Sequence, residues 1–157
     1  MPSKNRLTKV SKKPVIVAVS GYFNPLHVGH LEMIEKARTL GDRLVAIINN
    51  DHQVKLKGSV PFMKLADRVK IIAALRAVDD VFVSIDRDKT VRKSLAKVRP
   101  HIFANGGDRK NIGDVPEYEI CQHYNIKMVD GLGKKIRASS KMIAEAAAKK
   151  EKLNTKK

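Results

Sequence analysis

Short apolar runs alternate with amphipathic stretches from Pro14 onward, and this alternation restricts the fold more than any other feature of the sequence. The runs at residues 15–19 and 44–48 are continuously apolar, which is typical of strands buried on both faces of a parallel sheet. Three further runs predict strands at 81–85, 101–104 and 126–129. We therefore predict one α/β domain, a Rossmann-like doubly wound sheet of about five parallel strands with flanking helices.

The stretches between these runs carry apolar residues at helical spacing. The first predicted helix has Leu31, Ile34, Ala37 and Leu40 on one side and ends at Gly41. Further helices are predicted along 65–75, along 91–98 up to Pro100, from near Pro116, and from about 139 to 149. A loop is predicted to contain Lys55, Lys57, Gly58 and Pro61.

The predicted topology also indicates where a ligand would bind. In a doubly wound sheet, ligands bind outside the carboxyl ends of the strands, near the point where the strand order reverses. We therefore expect a site among the residues that follow Val19, Ile48, Ala104 and Val129.

The chain carries a formal net charge of +16, which favours an anionic ligand. About half of this excess lies in a basic N-terminal tail, residues 1–13, and a lysine-rich C-terminal segment, residues 145–157, where charge runs are usually solvated. The remainder lies in the predicted domain, residues 14–144. Nucleotide phosphates and nucleic acid both fit this charge, so charge alone does not choose between them.

Simple counts argue against other classes of protein. The 43% hydrophobic content supports a buried core, and no stretch approaches the ~20 apolar residues that span a bilayer. No apolar segment follows the basic N-terminus before Pro14, which argues against a secretory signal. A single cysteine, Cys121, cannot form an internal disulfide, so we expect a buried thiol in a cytoplasmic protein.

The segment at residues 20–30 combines glycines and histidines where the first strand gives way to a helix. A helix N-terminus offers free main-chain N–H groups and a partial positive charge, which suit a phosphate. Gly29 would let the backbone approach that anion, and Gly21 would permit a tight exit from the strand. The alternative is that His27 and His30 cap the helix or pack structurally.

This segment resembles the HxGH signature of the nucleotidyltransferase superfamily, and most closely that of its small cytidylyltransferase-like members. Other segments resemble the family in the same order along the chain, over roughly residues 15–143. They comprise residues 40–44, Asn49-Asn-Asp51, Lys55 with Lys57-Gly58, Ala66-Asp-Arg68, Asn105-Gly-Gly-Asp108 and residues 136–143. The chain departs from the family in two places, with Asn24 where aspartate is common and Arg137-Ala-Ser-Ser140 in place of the commoner Ile-Ser-Thr-Thr.

The resemblance implies transfer of CMP or AMP from an NTP to a small phosphomonoester, with release of pyrophosphate. It implies that His27 and His30 hold the triphosphate and that Lys57 is a mobile cation over the reacting phosphates. Mg²⁺ is expected through the NTP phosphates, with few protein ligands. The nucleotide-binding residues implied in addition are Gly21, Tyr22, Phe23, Asn24, Gly29, Lys55, Arg68, Gly106, Gly107, Asp108, Arg137, Ser139 and Ser140.

Three other interpretations remain open at this stage. A nucleic-acid-binding protein would explain the charge, although 4% aromatic residues and no tryptophan offer few stacking platforms. A fragment related to class I aminoacyl-tRNA synthetases would share the HxGH motif, and a non-catalytic nucleotide-binding member of the same fold is the third. Relatives are often dimers, so a homodimer is a further expectation, whereas a membrane partner is not expected.

Overall fold

A computed structural model describes residues 13–105, 115–130 and 132 of the chain. Five parallel strands form one sheet with the order β3-β2-β1-β4-β5. The strands are β1 (Ile16–Gly21), β2 (Arg43–Ile48), β3 (Asp80–Val83), β4 (Ile102–Ala104) and β5 (Lys127–Val129). Each lies within two residues of the run that predicted it, and the predicted Rossmann-like α/β fold is confirmed.

Five helices lie in the described part of the chain. They are α1 (Val28–Arg38), α2 (Asp51–Leu56), α3 (Leu65–Ala73), α4 (Arg92–Val98) and α5 (Tyr118–His123). The prediction that Lys55 lies in a loop was wrong, because α2 contains it. The helix forms there because Asn50 and Gln53 cap it reciprocally, each side chain accepting from the other's main-chain N–H. The helix predicted from about 139 lies outside the described residues.

Helices cover both faces of the sheet, as a continuously apolar central strand requires. Val17 and Val19 of β1 face the cluster that receives Ile34 of α1 and Ile72 of α3. Ala18, between them, faces the opposite cluster, which includes Leu95 of α4 and Cys121 of α5. Cys121 is therefore buried as predicted, and burial raises the pKa of its thiol to about 11.

The strand order reverses beside β1. The chain proceeds outward from β1 through β2 to β3, then returns to place β4 and β5 on the other side of β1. The carboxyl ends of β1 and β4 therefore form the crevice in which such folds bind ligands. None of the helices within the described ranges is both long and apolar enough to cross a membrane.

Candidate active site

Two histidines mark the point where β1 gives way to α1. His27 is the N-cap of the helix, and its Nδ1 accepts a hydrogen bond from the Gly29 main-chain N–H at 3.1 Å. His30 completes the capping box, since its Nδ1 accepts from the His27 main-chain N–H at 3.2 Å. The capping interpretation raised by the sequence is therefore correct for the Nδ1 atom of each ring.

The same hydrogen bonds decide which ring nitrogen carries the proton. An Nδ1 that accepts from the main chain has no proton, so the neutral imidazole carries its proton on Nε2. The two rings stack with their centroids 3.8 Å apart, a distance at which two imidazolium charges would repel. Burial, then His27, then Lys57 lower the pKa of His30 to about 4. At neutral pH His30 is therefore an uncharged Nε2–H donor, which suits a phosphate oxygen.

Phe23 fixes the position of the His30 ring through an edge-on contact between the two rings. Its side chain is buried, and its ring meets that of His30 edge-on with centroids 5.1 Å apart. The backbone of Phe23 is left-handed, with φ 50°, which turns the chain sharply after β1. A Cβ on Gly21 would lie 2.8 Å from the Phe23 ring, which is too close for van der Waals contact. Any residue other than glycine would therefore displace the ring. Phe23 and Gly21 therefore support the histidine pair rather than forming an open surface.

Asn24 holds the loop that follows Lys57. The Asn24 side chain is 5% exposed, its Nδ2 donates to the Val60 carbonyl at 2.9 Å, and its Oδ1 accepts from the Met63 main-chain N–H at 3.0 Å. Both ends of the amide are thus engaged by the loop between α2 and α3. We therefore assign Asn24 a positioning role in place of the predicted direct contact with nucleotide, because its polar atoms already have main-chain partners.

Lys57 lies beside the histidines and over an aromatic ring. Its Nζ is 4.4 Å from the centroid of the Tyr22 ring, a cation–π distance. Its charge also contributes to the lowered pKa of His30. Tyr22 is half-buried, and burial followed by the charge of Glu117 raises the pKa of its phenol. The structure therefore brings Tyr22, His27, His30 and Lys57 together at the end of β1.

Arg68 has a different role from the one predicted. The side chain is 0% exposed, and its Nε donates to the Met63 carbonyl at 3.1 Å. Its Nη1 donates to the carbonyls of Tyr22 and Asn49, and its Nη2 to the Asp51 carboxylate at 2.6 Å. A buried guanidinium with these partners has no accessible face for a phosphate. We correct its assignment to a brace that joins the ends of β1 and β2 to α2 and α3.

Of the other predicted site residues, two lie in the described part of the chain and six lie outside it. Gly29 lies in the first turn of α1, where its N–H serves the His27 cap. Lys55 lies exposed in the last turn of α2, two residues before Lys57. The predicted residues Gly106, Gly107, Asp108, Arg137, Ser139 and Ser140 lie outside the described residues.

The sequence interpretation missed one polar network beside the site. Asn50 joins the ends of two strands, because its Nδ2 donates to the carbonyls of Ser84 and Asp86 at 3.0 Å each. Gln53 extends this link to the carbonyls of Asp88 and Thr90. The capping-box spacing of Asn50 and Gln53 is a signal that could have found the start of α2, and with it this network.

Comparison with known proteins points to one family. The family model described as cytidylyltransferase-like matches residues 18–146. The chain is 36% identical over 139 residues to the bifunctional protein HldE of Streptomyces coelicolor, which covers 84% of this chain and 28% of that protein. It is 43% identical over 99 residues to the bifunctional protein HldE of Methylococcus capsulatus, which covers 62% of this chain and 20% of that protein. The chain therefore spans no more than 28% of the length of either relative.

Solved structures share the fold. The crystal structure of the lipopolysaccharide core biosynthesis protein from Thermoplasma volcanium matches with a TM-score of 0.66 and 25% identity, over 78% of this chain and 99% of that one. A protein of unknown function from Archaeoglobus fulgidus matches with a TM-score of 0.53 and 18% identity, over 79% of this chain and 94% of that one. The second match shows the fold alone.

Proposed function

Because the chain belongs to the cytidylyltransferase-like family, as its motifs predicted, we propose that it transfers CMP or AMP from an NTP to a small phosphomonoester. The observation that carries the proposal is the histidine pair at the start of α1. Its Nδ1 atoms are engaged by the main chain, so each neutral ring carries its proton on Nε2. The Lys57 ammonium lies beside the pair and supplies a positive charge.

The reaction is an in-line displacement at the α-phosphorus of the NTP. An acceptor phosphate oxygen forms the new P–O bond, the bond between the α-phosphorus and the bridging oxygen breaks, and pyrophosphate leaves with that electron pair. Such a transfer needs positioned donors more than a protein nucleophile. His27 and His30 donate to oxygens of the triphosphate, and Lys57 offsets the negative charge that develops as the bridging bond breaks.

The substrate is the Mg²⁺ complex of the NTP. In the ranges that the structure describes, no three His, Cys, Asp or Glu side chains converge as metal ligands. Mg²⁺ usually binds substrate phosphates and few protein ligands, so we expect the NTP phosphates to carry it into the site. The description of the family model as cytidylyltransferase-like favours CTP as donor, with ATP as the alternative to be tested beside it. A sugar phosphate is the acceptor class that we would test first.

Pyrophosphate release tests the proposal. The purified chain is incubated with Mg²⁺, each of the four NTPs and a panel of sugar, polyol and amino-alcohol phosphates. We expect release that requires one NTP and one acceptor together. His27→Ala and His30→Ala should abolish release while the far-ultraviolet circular dichroism stays native, and His123→Ala, an exposed histidine on α5, should leave release unchanged. Full turnover by either of the first two variants would contradict the proposal.

A further inference from the structure

The segment that joins α2 to α3 displays large apolar side chains to solvent. Leu56, Val60 and Phe62 are 41%, 79% and 68% exposed. Among the described residues, three of the seven exposed large apolar side chains therefore fall within residues 56–62. Single exposed apolar residues are normal at a protein surface, whereas a group of them indicates an interaction site. This segment is therefore a candidate docking surface.

Hydrogen bonds fix the main chain of the segment at both ends. Where α2 ends, the Ser59 main-chain N–H donates to the Val54 carbonyl at 3.2 Å, the longer bond of a Schellman turn. Gly58 adopts the left-handed conformation that this turn requires, with φ 85°. Before α3, the Asn24 side chain holds the main chain through the two hydrogen bonds described above. The three apolar side chains are therefore held in solvent by a fixed backbone.

Lysines alternate with these apolar residues. Lys55, Lys57 and Lys64 are exposed, and residues 55–64 contain no aspartate or glutamate. Exposed apolar groups combined with several lysines are typical of surfaces that bind the interface of an anionic lipid bilayer. The apolar groups enter the boundary between headgroups and acyl chains, while the ammonium groups contact the lipid phosphates.

Other partners fit this combination less well. Lysine is depleted in protein–protein interfaces, and a second copy would bring another net charge of +16 toward the same lysines. A nucleic acid would pair with the lysines but would leave Leu56 and Val60 against phosphates, and Phe62 is the segment's only ring for base stacking. An anionic bilayer satisfies the apolar and the cationic side chains together.

We propose that residues 55–64 dock on anionic phospholipid surfaces and hold the candidate active site at the bilayer. Lys57 belongs both to this segment and to the group around His30, so docking places that group beside the lipid headgroups. Such docking needs no spanning helix, and the sequence did not predict it. It is measured without nucleotide, so its failure would leave the proposed nucleotidyl transfer untouched.

Co-sedimentation with vesicles tests the surface. Vesicles of phosphatidylcholine and phosphatidylglycerol should bind the wild-type chain, and vesicles of phosphatidylcholine alone should bind it more weakly. Phe62→Ser should weaken partitioning by about tenfold, as expected for an aromatic ring partly buried in lipid. Lys64→Gln should weaken it by about fivefold. Ile85→Ser, which replaces a 52% exposed residue after β3, and Lys97→Gln, in α4, are the matched controls and should bind as wild type.

A tryptophan probe identifies the side chains that enter the lipid. The chain contains no tryptophan, so Phe62→Trp supplies a single probe in the segment and Ile85→Trp supplies one elsewhere. With anionic vesicles, the emission of Phe62→Trp should shift to shorter wavelength and be quenched by brominated acyl chains. The emission of Ile85→Trp should stay unchanged. Phe62→Ser should keep wild-type Tm and turnover of a water-soluble acceptor, because the ring is exposed and Asn24 contacts only main-chain atoms of the segment.

Each of three results would overturn the proposal. Equal partitioning of wild type and Phe62→Ser would show that binding depends on charge alone, through cations elsewhere in the chain. An emission shift of Phe62→Trp that occurs without vesicles and disappears on dilution would assign the surface to a second copy. Failure of the wild-type chain to partition onto anionic vesicles would exclude a lipid partner.

Discussion

Protonation of His30 should destabilise the folded chain, and the size of the effect follows from its environment. The pKa of this histidine is lowered from 6.5 to about 4 by burial, then by His27 and Lys57. The unfolded chain therefore binds more protons than the folded chain between these values, so stability rises with pH across that window. A difference of about 2.5 pKa units corresponds to about 3 kcal/mol of unfolding free energy at pH 4.

The local geometry gives the same sign independently. The His30 Nδ1 accepts the His27 main-chain N–H, and a proton on that atom would remove the acceptor and place two donors face to face. The stacked His27 ring, 3.8 Å away, adds a repulsive charge whenever it is protonated as well. Acid therefore breaks the capping box at the start of α1.

Urea unfolding at several pH values measures this effect. Between pH 7 and pH 4, wild type should lose about 3 kcal/mol more stability than His30→Asn, because the variant lacks the titrating ring. The comparison isolates His30 from carboxylates that titrate in both chains, and His52→Asn, on the exposed side of α2, serves as the control. Equal losses in wild type and His30→Asn would refute the reasoning.

Three further variants test the supports of the site. Arg68→Met should lower the unfolding free energy measured by urea unfolding by about 3–5 kcal/mol, since it leaves three main-chain carbonyls without their donor. The same measurement should show no such loss for Arg76→Met, which replaces an exposed arginine. Gly21→Ala should lower the unfolding free energy by about 1–3 kcal/mol and reduce turnover, because its Cβ would displace the Phe23 ring that supports His30. A variant with both native stability and native turnover would contradict this prediction. Tyr22→Leu should reduce kcat by about two- to tenfold, because it removes the ring that Lys57 contacts. Tyr22→Phe should retain the wild-type kcat, since the cation–π contact needs only the ring. Equal kcat values for the two variants would count against a role for this contact.

The strands and their parallel arrangement could be predicted because their signal is local. The apolar runs of β1 and β2 are buried on both faces, so their hydrophobicity alone identifies them. The helices between them leave a parallel sheet as the simplest arrangement. The histidine pair could be located from the same pattern, because it follows the end of a strand.

The roles of several site residues could not be predicted, because they depend on partners far along the chain. Arg68 reads as a surface cation in a helix start, and only the tertiary fold brings its guanidinium to the Tyr22 and Asn49 carbonyls. Asn24 likewise meets Val60 and Met63 only after the loop between α2 and α3 folds back. Contacts across such distances leave no spacing pattern in the sequence.

The position of the transferred phosphorus tests the central claim most directly. The chain is incubated with Mg²⁺, the preferred acceptor and its NTP, labelled with ³²P either at the α- or at the γ-phosphate, and the products are separated. Nucleotidyl transfer predicts that α-label appears in the acceptor product and γ-label in pyrophosphate. Label from the γ-phosphate in the acceptor would show phosphoryl transfer instead and would contradict the proposed function.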